Sequence, residues 1–291
     1  MPKQSVSKQS VLIVGLGEVG HSLYDLFMDS GKFDVYGVDT NNEGMKNIEG
    51  IRAPSERNID VMHVCYPCSD QRQFVKTTLE YIRRFEPRLT IIESTVNPGT
   101  TQKIYELAEV PVVHSPIRGM HKTLETMKKD ILYWRKFVGG TTSEGAEAAK
   151  EHFEKLGLRV TVLRSPVETE LAKILDTTYK AMLIVCFQEM HRISRALGAD
   201  FDEIVEVIED GHRGILDRPI NYPSVIGGHC LIPNTELLLR SYDSKLLKLV
   251  LESNEKRKEE VKDKAVLEEI EKVRKRVEIL DKDLSRKPSD P

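Results

Sequence analysis

Long apolar runs are missing from this chain. Nothing approaches the roughly 20 consecutive apolar residues that a membrane-spanning helix requires, so a membrane partner or anchor is not expected. Cysteine is scarce, with four in 291 residues. That is too few for a disulfide framework at this length, and a reducing cytoplasm is the expected setting. Charge of one sign is lacking as well: 43 Lys and Arg face 46 Asp and Glu, a net of −3. Without a broad basic excess, no nucleic-acid partner is expected. Lys3 and Lys8 precede an apolar run at Val11–Val14, but glycines end it at once, so no secretory leader is expected. Cys65 and Cys68 form a lone C-x-x-C with no second pair. It reads as a strand end before a proline turn, and no metal site is expected. What remains, 40% hydrophobic and 31% charged, is the composition of a soluble globular chain with room for two domains.

The first of these domains opens with a nucleotide-binding signature. Val11–Val14 has the length of a buried strand, Gly15-Leu-Gly17-Glu18-Val19-Gly20 follows, and His21 to Ser30 has helical periodicity. The three glycines differ in what they permit. Gly15 allows the tight turn, Gly17 lets backbone approach a pyrophosphate, and Gly20 lets helix pack closely on strand. The helix start then offers free N–H groups to phosphate. A second strand ends at Asp39, close to the expected spacing of about 20 residues for an acid that binds ribose hydroxyls. A carboxylate there repels a 2′-phosphate, so NAD is expected over NADP. Strands and helices keep alternating to about Leu163, which predicts a Rossmann-type, mostly parallel, doubly wound α/β sheet. Ligands in such sheets sit beyond the carboxyl ends of strands. That places Tyr66-Pro67, Ser94-Thr95 and Ser115-Pro116 in loops facing the cofactor.

The second half reads as all-helical. Glu168 to about Leu197 contains no Gly or Pro and forms one long helix; Ala199 to Glu209 forms another. Gly211 to Pro233 reads as irregular and carries Cys230 on a double-glycine turn, Gly227-Gly228-His229-Cys230. Ser244 to Leu284 reads as a single helix. Its end carries an apolar seam of Val266, Ile270, Val273, Val277, Leu280 and Leu284, expected to pack within the protein or its dimer. The expected domains are 9–165 for NAD binding, 166–255 helical and carrying the cysteine loop, and 256–291 as a charged C-terminal helix and tail. A thiol beside a hydride acceptor can capture an aldehyde as a thiohemiacetal, which can lose a second hydride to become a thioester.

Together these motifs resemble the UDP-glucose/GDP-mannose dehydrogenase family over about residues 10–255. The anchors are Val14-Gly-Leu-Gly-Glu-Val-Gly20, Glu93-Ser-Thr-Val-Asn-Pro-Gly99, Glu170-Leu-Ala-Lys173 and Gly227-Gly-His-Cys230. The last looks most like the branch acting on UDP-N-acetylhexosamines, and Asn254 fits the helix after the cysteine. The resemblance implies oxidation of the C6 hydroxyl of a nucleotide sugar to a carboxylate with two NAD. It implies Thr95 near the nicotinamide and a reactive water, Lys173 stabilising oxyanions, and Cys230 as nucleophile. Arg213 resembles an arginine that contacts substrate, in the family from a neighbouring subunit. Gly228, His229, Thr177 and Asn234 fall at further substrate positions, and a homodimer is implied.

Departures are equally visible. Where the family has Pro-Glu this chain has Pro116-Ile117-Arg118; Thr177 replaces an Asn and Asn234 an Asp. The family's third, nucleotide-binding domain is expected to be lacking. Arg118, His114 and His121 are the expected replacement grip for a phosphate or carboxylate. Three readings follow. The first is an NAD-dependent dehydrogenase of a primary alcohol on a sugar or nucleotide sugar, carried to the acid through Cys230. The second is a two-electron β-hydroxyacid-type dehydrogenase, which also places a lysine on the long helix. The third is a non-catalytic NAD-binding protein with a decayed site.

Overall fold

The computed structural model describes residues 8–40, 59–118, 123–215 and 219–285. The chain divides into two compact units, Met1–Lys173 and Ile174–Pro291. In the first unit, strands β1 (Gln9–Val14), β2 (Phe33–Val38), β3 (Val61–Val64), β4 (Leu89–Ile92), β5 (Val112–His114), β6 (Lys136–Gly140) and β7 (Val160–Val162) alternate with helices. These are α1 (Glu18–Ser30), α2 (Gln71–Phe85), α3 (Thr100–Ala108), α4 (Leu124–Tyr133) and α5 (Ser143–Leu156). The strand order is β2-β1-β3-β4-β5-β6-β7. β1 to β5 run parallel, β6 joins β5 antiparallel through Val113 and Gly140, and β7 lies parallel to β6.

The short strands β1, β3 and β4 are apolar on both faces because helices cover both sides of the sheet. Leu23, Phe27, Ile13, Ile91 and Phe153 fill one face, and Leu12, Met62, Phe74, Ile92 and Ile104 the other. Each such side chain contributes about 1.5–3 kcal/mol on leaving water. The chain leaves β1 to one side for β2 and crosses to the other for β3. That reversal opens the crevice at the carboxyl end of β1 where the glycine turn lies.

The long helix is α6 (Pro166–Ala196), followed by α7 (Phe201–Ile215), α8 (Leu231–Ser241), α9 (Lys245–Glu260) and α10 (Lys264–Ser285). Three expectations are corrected here. Gly211-His212-Arg213 is helical, the last turn of α7, where Arg213 pairs with Glu209 one turn back and His212 is buried. Pro233 lies inside the first turn of α8, a position where its missing N–H costs nothing. The single helix from Ser244 to Leu284 is two. Val261 caps α9, and the Asp263 carboxylate accepts from the Ala265 N–H at 2.9 Å to begin α10.

The apolar seam of α10 packs inside the second unit. Val273 and Leu280 join Phe187, Phe201, Val205 and Ile220 in one buried cluster, with Val277 at its margin. The Leu284 side chain lies outside the described residues. Arg276 ties the same helix to α7 through Asp202 at 3.0 Å and Glu209 at 3.2 Å. No helix among the described residues is long and apolar enough to cross a membrane.

Candidate functional site

In the first unit the glycine turn is built around two approaches that exclude a side chain. Gly15 has φ +88°, and a Cβ there would sit 2.7 Å from the Tyr66 nitrogen. A Cβ on Gly20 would meet the Gly15 carbonyl oxygen at 1.8 Å, with Cys65 behind it. Gly17 is exposed, and a Cβ there would meet no protein atom within 4 Å. Its bareness therefore answers to nothing in the protein's own packing, which suits a backbone approached from outside. Asp39, just past β2, accepts from the Leu16 N–H at 2.5 Å. The carboxylate is thus held at the lip of the turn. Glu18 and Val19 open α1, exposed and half-buried respectively. A glycine turn that opens a helix, with an acid at its rim, fits a dinucleotide.

The neighbouring strand ends converge on the same side. The Ser94 hydroxyl donates to the Tyr66 carbonyl at 2.6 Å and lies 3.2 Å from that of Val64, lacing β4 to β3. Tyr66 turns its own hydroxyl to Thr78 at 2.6 Å, and burial raises its pKa. Thr95 and Pro98 are half-buried beside this lacing, while Pro67 is exposed.

His114 holds the turn from below. Its Nε2 donates to the Ser94 carbonyl at 3.1 Å and its Nδ1 faces the Thr169 hydroxyl at 2.8 Å. Burial lowers its pKa to about 4. A ring so committed is neutral and unavailable, which corrects the expectation that His114 grips an anion. Arg118 spreads its guanidinium over the Trp134 ring at 5.0 Å and the Phe137 ring at 6.0 Å. His121 lies outside the described residues.

The start of α6 is docked by a residue the sequence did not single out for a role. Glu170 is fully buried and accepts from Gly99 N–H at 2.6 Å, Thr101 N–H at 2.9 Å and the Thr101 hydroxyl at 2.6 Å. It neutralises the donors that open α3; burial nonetheless raises its pKa. One turn on, Lys173 Nζ donates to the Ile117 carbonyl at 2.8 Å. The Ile117 N–H in turn lies 3.4 Å from the Glu93 carbonyl. Hydrogen bonds therefore connect Lys173 through Ile117 to Glu93, the residue before Ser94.

A larger omission lies beneath them. Glu93, Lys136, His63 and His152 are buried together, the Lys136 ammonium against the Glu93 carboxylate. Two histidines in a strand and a helix are silent in a one-dimensional reading; only their burial in one core reveals them.

In the second unit the cysteine turn is anchored by Asn254 of α9. Its side chain accepts from the Ile226 N–H at 2.7 Å and donates to the Ile226 carbonyl at 3.2 Å. Gly228 has φ +79°, a left-handed conformation that favours glycine. His229 is exposed, and half-buried Cys230 forms the cap of α8. Asn234, one turn into α8, is buried and donates to the Thr177 hydroxyl at 3.0 Å. The two positions that depart from the family pattern thus meet as a neutral hydrogen-bonded pair. Arg213 pairs with Glu209 at 2.7 Å.

Cys65 and Cys68 pack into cores on opposite faces of the sheet. No group of metal-ligating side chains occurs among the described residues.

The central-domain profile of the UDP-glucose/GDP-mannose dehydrogenase family matches residues 167–256. A UDP-N-acetyl-D-mannosamine dehydrogenase of Methanocaldococcus jannaschii is 25% identical over 292 residues, covering 87% of this chain and 66% of the relative. The chain thus spans just under two thirds of that relative's length. The fold is that of a UDP-D-ManNAc dehydrogenase from Pyrococcus horikoshii, with TM-score 0.72 and 22% identity over 85% of this chain and 68% of that one. The 3-hydroxyisobutyrate dehydrogenase of Mycobacterium tuberculosis shares it at TM-score 0.65 and 14% identity, over 92% of this chain and 99% of that one.

Proposed function

We propose that the chain is an NAD-dependent dehydrogenase that oxidises a primary alcohol of a sugar or nucleotide sugar, in the manner of a UDP-sugar 6-dehydrogenase. The observation that carries this reading is the glycine cradle with Asp39 bound at its lip. It suits a dinucleotide bearing a free ribose 2′-hydroxyl. The substrate class rests on the central-domain match and on relatives named for UDP-sugars.

NAD, when bound, supplies the hydride acceptor. Gly15, Gly17, Glu18, Val19 and Gly20 receive its pyrophosphate, Asp39 its ribose, and Tyr66, Pro67, Ser94 and Thr95 line its nicotinamide end. Lys173, a cation near that turn, stabilises alkoxide charge as a C–H bond gives up hydride. The Cys230 thiol then adds to the aldehyde carbonyl, forming a C–S bond while the oxygen takes the proton. Loss of a second hydride and proton leaves a thioester, and water cleaves it to the acid and the free thiol. Arg118, His121, Thr177, Arg213, Gly228, His229 and Asn234 are the proposed substrate contacts.

A homodimer completes the proposal. Leu175, Tyr179, Cys186 and Ile193 are exposed on α6, their spacing places them on one face of the helix, and Leu197 just past its end is exposed as well. An apolar stripe of this length calls for a cover, and a second copy provides an equal one.

The test is NADH formation across nucleotide sugars and sugar phosphates, with product stoichiometry. Two NADH per acid formed, reduced to one or none by Cys230→Ser, is the expected result. One NADH with an aldehyde or ketone product, indifferent to Cys230→Ser, would instead support the β-hydroxyacid-type reaction. NAD binding without turnover on any substrate would leave only the non-catalytic reading.

A further inference from the structure

Beneath the glycine turn runs a line of buried polar groups that the proposed chemistry does not use. Glu93 follows β4 directly and precedes Ser94. One of its carboxylate oxygens meets the Lys136 ammonium; the other lies 3.0 Å from His63 Nδ1. Lys136 also donates to the Ser115 carbonyl at 2.6 Å, and its Nζ lies 4.9 Å from the Phe153 ring centre. His63 Nε2 lies 2.9 Å from His152 Nε2, and His152 Nδ1 lies 3.0 Å from the Gln9 amide oxygen. None of the four titratable side chains exceeds 5% exposure.

The proton positions follow from charge. Burial lowers the pKa of both histidines, so both are neutral in the fold. A carboxylate accepts only, so His63 Nδ1 carries the hydrogen and His63 Nε2 is bare. His152 Nε2 must then donate, and its bare Nδ1 requires the Gln9 amide to be turned end for end, so that its nitrogen rather than the oxygen placed 3.0 Å away faces the ring. Glu93 stays ionised: burial would raise its pKa, but the Lys136 charge and the His63 hydrogen bond outweigh that and hold it below the ordinary range.

An ion pair at this depth is not explained by stability, because well-packed apolar groups serve as well or better. Its location offers another reason. Glu93 and His63 bind β4 to β3, and Lys136 binds both to the ends of β5 and β6, at the edge where ligands sit in such sheets. Cys65, the residue after β3, feels the charges of Glu93 and Lys136 and lies behind Gly20.

We propose that Glu93 and Lys136 are positioning residues that hold the Ser94–Thr95 turn and the floor of the glycine cradle in register for NAD. This deepens the dehydrogenase reading and rests on it. Neither residue touches the cofactor; each acts through the strand ends it joins.

The test compares wild type with Glu93→Gln and with the double variant Glu93→Gln/Lys136→Met. The single change strands a buried ammonium and should lower Tm. The double change removes both charges and should restore Tm to near wild type, yet leave the NAD dissociation constant at least tenfold higher. A double variant with wild-type Tm and wild-type NAD affinity overturns the proposal. Nitrogen-15 spectra of the wild-type histidines keep the question answerable if the variants do not fold. His63 should appear as the Nδ1–H tautomer and His152 as Nε2–H, and saturation with NAD should move the His63 signals. The opposite tautomers, or His63 signals unmoved at saturation, overturn it. A wild type that binds no NAD overturns the dehydrogenase reading itself, and this proposal with it.

Discussion

His114 carries a histidine's usual chemistry into a place where it cannot be used. The ring is fully buried, and burial outweighs the hydrogen bond to the Ser94 carbonyl, so its pKa falls to about 4 from an ordinary 6.5. In the unfolded chain the ring takes up a proton first as pH drops. The stability it contributes is therefore full above pH 6.5 and is lost as pH falls towards about 4, roughly 3 kcal/mol in all. His63 and His152 shift in the same direction. Urea midpoints should accordingly decline between pH 7 and 4.5. A His114→Gln variant, weaker at neutral pH, should decline less steeply. Parallel curves would mean that His114 is already charged in the fold.

Among the helices, α9 has a role its sequence hardly announces. Asn254 satisfies both backbone groups of buried Ile226, four residues before Cys230. An Asn254→Ala variant leaves those groups unpaired, at a cost of about 2 kcal/mol. Thiol labelling of Cys230 should speed up severalfold, measured in a Cys186→Ser background because Cys186 is exposed. An unchanged labelling rate would separate Asn254 from the cysteine turn. Within the same unit the Asn234 amide donates to the Thr177 hydroxyl, so the two positions read as departures from the family pattern are in contact. Each replacement, read alone, looks like the loss of a functional group; as a pair they satisfy one another.

For the molecule as a whole, the exposed stripe on α6 is the feature that bears on assembly. Ile193→Asp changes a residue that is 51% exposed and should alter the stability of a single chain by no more than about 0.5 kcal/mol. Light scattering after size exclusion should nevertheless find wild type as a dimer and this variant as a monomer. A wild type that elutes as a monomer at micromolar concentration removes the dimer from the proposal.

Local chemistry was enough for much of this protein. The glycine turn, the acid after β2, the alternation of strand and helix and the length of α6 all follow from near neighbours in the chain. Steric limits at glycine and the periodicity of apolar residues act over a few positions and can be read there. The end of α7 and the start of α8 were misjudged because Gly and Pro punctuate helix ends as readily as loops. The partners of Glu93, Glu170, His114, Asn234 and Asn254 are side chains or backbone distant in sequence. Only the folded chain brings them together, because a buried polar group takes its meaning from whatever packing places within hydrogen-bond reach.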